Sequence, residues 1–215
     1  MDAPQFSDLN PSPRVLLGPG PSGVPSRVLR AMAAPLVGHL DPEFLVVMNQ
    51  VQQLLRYVFQ TRNELTIPIS GTGSAGMEAA LVNFIEPGDD VLIGVNGYFG
   101  ERLCDMAGRT GANVDRLERP WGEVFDPDEI ASALGRKAYK LLGVVHAETS
   151  TGALQPHVSE IARAAHERGA LFVLDTVTSL GGVPVEIDAW DVDVAYSGTQ
   201  KCLSCPPGLS PITVG

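Results

Sequence analysis

The chain has 215 residues, 44% of them hydrophobic, with 15 Lys and Arg against 25 Asp and Glu for a formal net charge of −10. That length and hydrophobicity suit one domain with a real core, or one and a fraction, and exclude a disordered chain. The acidic balance argues against a nucleic-acid surface and against docking on anionic lipid, both of which call for basic patches.

The first 23 residues read as an irregular arm, because Leu16-Leu17-Gly18-Pro19-Gly20-Pro21-Ser22 is too rich in Gly and Pro for a helix or a central strand. Met1 to Asn10 shows neither a basic segment nor an apolar one, so no signal peptide is expected. A helix is predicted from about Pro25 to Ala34. A longer one starts near Asp41-Pro42-Glu43, where Asp caps and Pro suits the first turn. Its apolar positions Leu45, Met48, Val51, Leu55 and Val58 recur at helical spacing.

From residue 65 the texture changes. Apolar runs at Leu65–Ile69, Val91–Val95, Leu141–Val145, Leu171–Leu174 and Val192–Ala195 alternate with helical patterns near 74–85, 98–109, 126–134 and 157–168. Continuous apolar strands separated by helices predict an α/β domain with a mainly parallel sheet covered on both faces. In such sheets ligands bind beyond the carboxyl ends of the strands. Each predicted strand is followed there by a polar loop: Ser70–Ser74, Asn96–Phe99, His146–Gly152, Asp175–Ser179 and Tyr196–Lys201.

Gly71-Thr72-Gly73-Ser74-Ala75-Gly76 follows a strand and opens a helix, a setting in which backbone N–H groups and the helix dipole favour an anion. It also matches the glycine pattern of dinucleotide sites. That reading needs an acid at the end of the next strand, where Val95-Asn96-Gly97 has none. A monophosphate cradle is therefore preferred over an NAD-binding oxidoreductase. Asp175 ends the strongest apolar run and is either a turn residue or the partner of a cation such as a protonated ring nitrogen. A metal is the weaker choice, with no His or Cys cluster near it in sequence.

Only three lysines exist, Lys137, Lys140 and Lys201. The first two read as surface residues. Lys201 lies in a turn-rich loop past a strand, where desolvation can turn an amine into a nucleophile. The cysteines, Cys104, Cys202 and Cys205, are too few and odd in number for a disulfide framework, which points to a reducing, cytoplasmic setting. Cys202 and Cys205 form C-x-x-C without a second pair, so no metal site is expected. His146 alone among the four histidines sits on the functional rim and is a candidate for orienting a neighbour. No run of ~18 apolar residues exists, so no membrane span is expected.

An anion cradle, an acid, an aromatic (Tyr98 or Phe99), a hydroxyl at Ser150 and a lysine together are the equipment for pyridoxal 5′-phosphate. The chain resembles class V, fold type I aminotransferases of the alanine–glyoxylate, serine–glyoxylate and serine–pyruvate group. The matching text is Leu17–Ser22, Tyr57–Asn63, Ser70–Ser74 with Met77–Leu81, Glu148–Gly152, Asp175 with Ser179–Gly182, and Ser197–Lys201 with Pro206–Gly208.

The resemblance implies the large domain of that fold, a seven-stranded-type sheet between helices, with an arm over 1–23 and the cofactor-binding domain over 24–215. It implies that Lys201 holds the cofactor covalently and shuttles the substrate proton, and that Asp175 pairs with the ring nitrogen. It implies that Thr72, Gly73, Ser74 and Gln200 bind the phosphate, that Phe99 and Val177 flank the ring, and that Ser150 lies near the phenolic oxygen and the substrate. The Gly18–Pro21 loop is expected to border the substrate pocket. Transamination between alanine or serine and glyoxylate or pyruvate, in a homodimer, is what the resemblance implies. Family members continue into a smaller C-terminal domain that supplies the arginine for the substrate carboxylate. The chain ends soon after the lysine, so a cofactor-binding domain without turnover is the competing expectation.

Overall fold

The computed structural model describes residues 4–215. The first three residues of the expected arm lie outside the described residues, and residues 4–25 form no helix or strand. The elements then follow in chain order: α1 (Ser26–Met32), α2 (Pro42–Phe59), β1 (Leu65–Ser70), α3 (Gly73–Val82), β2 (Asp90–Val95), α4 (Tyr98–Arg109), β3 (Asn113–Glu118) and α5 (Pro127–Leu134). After β4 (Leu141–Val145) come a two-stranded hairpin, β5 (Ala147–Glu148) and β6 (Ala153–Leu154), then α6 (Val158–His166), β7 (Leu171–Asp175), α7 (Ile187–Trp190), β8 (Val194–Tyr196) and β9 (Leu209–Val214).

The cap expected at Asp41 is present, its carboxylate accepting the Glu43 N–H at 2.8 Å with Pro42 in the first turn. Seven strands form one sheet in the order β1-β9-β8-β7-β4-β2-β3. The pairs β3–β2, β2–β4, β4–β7 and β7–β8 are parallel, and only β9 runs against its neighbours β8 and β1. This is the mainly parallel sheet between helices that the alternation of apolar runs predicts.

The central strands are apolar throughout because both faces are covered. In β4, Leu141 and Val145 point to one core cluster while Leu142 and Val144 point to the other. In β7, Val173 and its neighbours Phe172 and Leu174 divide the same way. Ile130 of α5 and Ile161 of α6 seal one face; Met77 and Leu81 of α3 with Leu103 of α4 seal the other. Each such side chain, fully buried, contributes about 1.5–3 kcal/mol.

Two of the seven strands lie outside the predicted set. Edge strand β3, Asn113-Val114-Asp115-Arg116-Leu117-Glu118, has only two apolar residues, Val114 and Leu117, and is otherwise polar. Strand β9 contains Pro211, which argues against a central strand. The structure accommodates it by opposing Pro211 to Pro68 of β1, where neither residue is asked to donate, while the Pro211 carbonyl accepts the Ser197 N–H at 2.8 Å.

Candidate functional site

The five polar loops meet at one rim because β1, β2, β4, β7 and β8 all point their carboxyl ends the same way. A cavity of about 130 Å³ lies there, lined by Thr72, Gly73, Ser74, Met77, Phe99, Asp175, Val177, Gln200 and Lys201. Eight of the nine candidate residues read from the sequence thus line one cavity. Ser150 is the exception: it sits behind the wall at the start of α4. Met77 lines the cavity without having been singled out, since it follows the helical spacing of an ordinary core residue.

Helix α3 begins directly on the cavity. Thr72 holds the position before its first turn in an extended conformation, and no side chain caps the helix. Its leading N–H groups and dipole therefore face the cavity, an arrangement that favours an anion. Close approach is possible because Gly73 has no side chain; a Cβ there would stand 3.0 Å from Val177 Cγ2.

Asp175 is 2% exposed at the end of β7. Its Oδ1 accepts the Val177 N–H at 2.9 Å, and its Oδ2 accepts the hydroxyl of Tyr196 at 2.7 Å. Burial pushes its carboxyl up to about 6, partly offset by these two donors and reinforced by the charge of Glu148. No cation pairs with it among the described residues, and its position at the cavity suits a cationic partner. Tyr196 is itself fully buried in β8, and its phenol is driven well above the usual range by burial and by Asp175. A tyrosine at the end of an apolar run needs a buried partner, which is the signal that identifies it.

Lys201 lies on the opposite wall. Its Nζ donates to the Pro19 carbonyl at 2.8 Å. The arm is pinned over it by Ser22, whose N–H donates to the Gln200 carbonyl at 2.8 Å and whose hydroxyl donates to the Lys201 carbonyl at 2.7 Å. Gly20 adopts φ +128°, and a Cβ there would stand 2.7 Å from Lys201 Nζ. The Gly-Pro loop thus borders the lysine. Beside it, Gln200 Oε1 is buried without a hydrogen-bond partner.

Of the two candidate aromatics, Phe99 lines the cavity, and Tyr98 is about half exposed with its ring edge-on to Phe99 at 5.4 Å. Ser150 accepts the Tyr98 N–H at 2.9 Å and donates to Glu148 Oε1 at 2.6 Å. His146 does orient a neighbour, Nδ1 meeting Ser179 Oγ at 2.9 Å, but it lies outside the cavity. Lys137 pairs with Asp90 and Asp115 at the far end of the sheet, consistent with a surface role. Cys202 and Cys205 are free thiols, and no cluster of three metal-ligating side chains occurs among the described residues. Nor is any described helix long and apolar enough to cross a membrane.

Comparison with known proteins agrees with this geometry. The aminotransferase class-V family model matches residues 15–214. The (S)-ureidoglycine–glyoxylate transaminase of Bacillus subtilis is 48% identical over 200 residues, covering 93% of this chain and 48% of the relative. The alanine–glyoxylate aminotransferase of Drosophila melanogaster is 44% identical, over 93% of this chain and 51% of the relative. Among solved structures, an alanine–glyoxylate aminotransferase from Nostoc sp. superposes with a TM-score of 0.94 at 57% identity, covering 98% of this chain and 56% of that one. The chain therefore spans about half the length of the curated relatives it matches.

Proposed function

Because the chain belongs to the class V aminotransferase family, we propose that it forms the cofactor-binding half of an enzyme that passes an amino group from a small amino acid to glyoxylate or pyruvate. Its cofactor is pyridoxal 5′-phosphate. The observation that carries the reading is the cavity that joins an uncapped helix N-terminus, a buried unpaired carboxylate and the only lysine of the rim.

The residues fit that group. The start of α3 suits a phosphate, and the orphaned amide of Gln200, rotated to present its nitrogen, adds a donor. Asp175 suits a protonated ring nitrogen, which neutralises a carboxylate that otherwise stands alone in the core. Thr72, Gly73, Ser74 and Gln200 would hold the phosphate, Phe99 and Val177 would flank the ring, and Ser150 would lie toward the phenolic oxygen.

When bound, the cofactor supplies an electron-withdrawing ring that stabilises charge developing at the substrate α-carbon. Asp175 keeps the ring nitrogen protonated. Lys201 Nζ, on the cavity wall, would hold the group and, once free as an amine, would be placed to take the substrate α-proton and return it. The apolar walls of Met77, Phe99 and Val177 keep water away from that proton. No arginine lines the cavity among the described residues, so the substrate carboxylate is held from outside these walls. Glyoxylate as acceptor is supported by the names of the relatives above; alanine, serine and ureidoglycine are the donors to be told apart. A homodimer is part of the same reading, supported by the exposed apolar face of α2.

Adding pyridoxal 5′-phosphate is expected to produce a visible absorption band that borohydride treatment makes permanent and Lys201→Ala abolishes. In an amino-transfer assay to glyoxylate, Lys201→Ala is expected to lower the rate by at least ~100-fold. A folded chain that shows no band refutes the assignment, and a band with no transfer from any of the three donors refutes the proposed activity.

A further inference from the structure

Glu148 is 1% exposed and forms no ion pair among the described residues, an arrangement that is costly for a carboxylate. Four donors converge on it. Its Oε2 accepts the N–H groups of Phe99 at 3.0 Å and Gly100 at 3.3 Å. Its Oε1 accepts the N–H of Ser150 at 3.0 Å and the Ser150 hydroxyl at 2.6 Å. Helix α4 has no side-chain cap from its own preceding residue, Gly97, so a carboxylate from the β5 strand does that work across the fold.

The surroundings are shaped for it. Gly97 has an extended backbone open to any residue, yet a Cβ there would overlap Glu148 Cγ and stand 2.5 Å from its Cδ and 2.7 Å from Ser150 Oγ. The glycine is needed for space alone. One carboxylate thereby fixes both the helix turn that carries Phe99 to the cavity wall and the hydroxyl of Ser150.

We propose that Glu148 is a positioning residue that holds Phe99 and Ser150 in register at the cofactor cavity, so that the aromatic wall and the hydroxyl are set by a single group. The proposal rests on the cofactor reading above, through the roles given there to Phe99 and Ser150. Glu148 acts on the cofactor only through these two residues and through its charge, which also raises Asp175.

The test measures pyridoxal 5′-phosphate affinity and the visible circular dichroism of the bound cofactor, with the melting temperature of the cofactor-free chain recorded alongside. Glu148→Ala is expected to weaken binding on the order of tenfold and to reduce the dichroism. Glu148→Gln, which retains one acceptor, is expected to recover part of both. Gly97→Ala keeps the charge but displaces it, and is expected to resemble Glu148→Ala; it also serves if that variant does not fold. In a Phe99→Ala background Glu148→Gln is expected to cost less than it does alone, because the two act as a unit. Full affinity and dichroism in Glu148→Gln and Gly97→Ala overturn the proposal, as does strict additivity with Phe99→Ala. Absence of a cofactor band in the unaltered chain overturns the cofactor reading instead.

Discussion

Asp175 and His146 sit on neighbouring loops of the rim and are displaced in opposite directions by the same cause. Burial raises the Asp175 carboxyl from 3.8 to about 6 and lowers His146 from 6.5 to about 4. The raised acid binds its proton more tightly in the folded chain, so its contribution is present below pH 4 and is lost as pH rises to 6. The depressed histidine binds its proton less tightly when folded, so its contribution is present above pH 6.5 and is lost as pH falls to 4. Each amounts to about 3 kcal/mol, and between pH 4 and 6 they oppose. Denaturant titration of the cofactor-free chain is expected to show stability rising across that range in Asp175→Asn and falling in His146→Gln. Parallel profiles in the two variants exclude this account. His166 provides a separate case. Despite partial burial, Asp193 at 2.8 Å and Asp191 at 3.1 Å raise it. Its stabilisation is full below the unfolded value and fades as pH passes the folded one. The penalty of His166→Asn is therefore expected to be larger at pH 6 than at pH 9.

At the scale of elements, α3 is held against β8 and β9 by Gly76. A Cβ there would overlap Ser210 Oγ, which donates to the Ser197 carbonyl at 2.5 Å, and would stand 3.1 Å from Tyr196 Cβ. Alanine's better helix propensity is worth up to ~1 kcal/mol, but overpacking against a buried strand costs about 1–3 kcal/mol. Gly76→Ala is therefore expected to lower the unfolding midpoint. Gly108 in α4 meets nothing within 4 Å, so Gly108→Ala is expected to raise the stability by about 0.5–1 kcal/mol, and the midpoint with it. Equal effects at the two sites rule this packing argument out. The same contrast explains which elements the sequence exposes. Helix α4 over Tyr98–Arg109 matches its predicted range because its amphipathic period is unbroken. Strand β3 shows no continuous apolar run because its sheet edge faces solvent, and β9 is disguised by Pro211. The β5–β6 hairpin is only two residues per strand, too short for any period to show.

At the scale of the molecule, the apolar surface of α2 is divided. Leu55 and Phe59 are buried against the body, whereas Val46, Val47, Leu54 and Tyr57 share another face and are 50–75% exposed. Only the second half of the predicted stripe meets the core; Leu45 is itself 50% exposed. A contiguous exposed apolar face of this kind is the mark of an association surface, and the homodimer is its proposed occupant. Light scattering after size exclusion is expected to give twice the 22.8 kDa of one chain, and Leu54→Glu to shift the species to one chain. A single-chain mass at micromolar concentration in the unaltered protein refutes the dimer.

The sequence by itself determined the class of the fold, since apolar runs and helical periods are local properties of consecutive residues. It also named eight of the nine cavity residues, because a family motif preserves residue types at fixed spacing. The tertiary structure alone decided the rest, and for one physical reason. Partnerships across the fold carry no signal in sequence distance. Tyr196 donates to Asp175 from 21 positions away, Glu148 caps a helix 48 and 49 positions earlier, and Ser22 ties the arm to Lys201 across 179. Buried polar groups must find partners wherever the fold provides them, and only the assembled chain shows which ones they find.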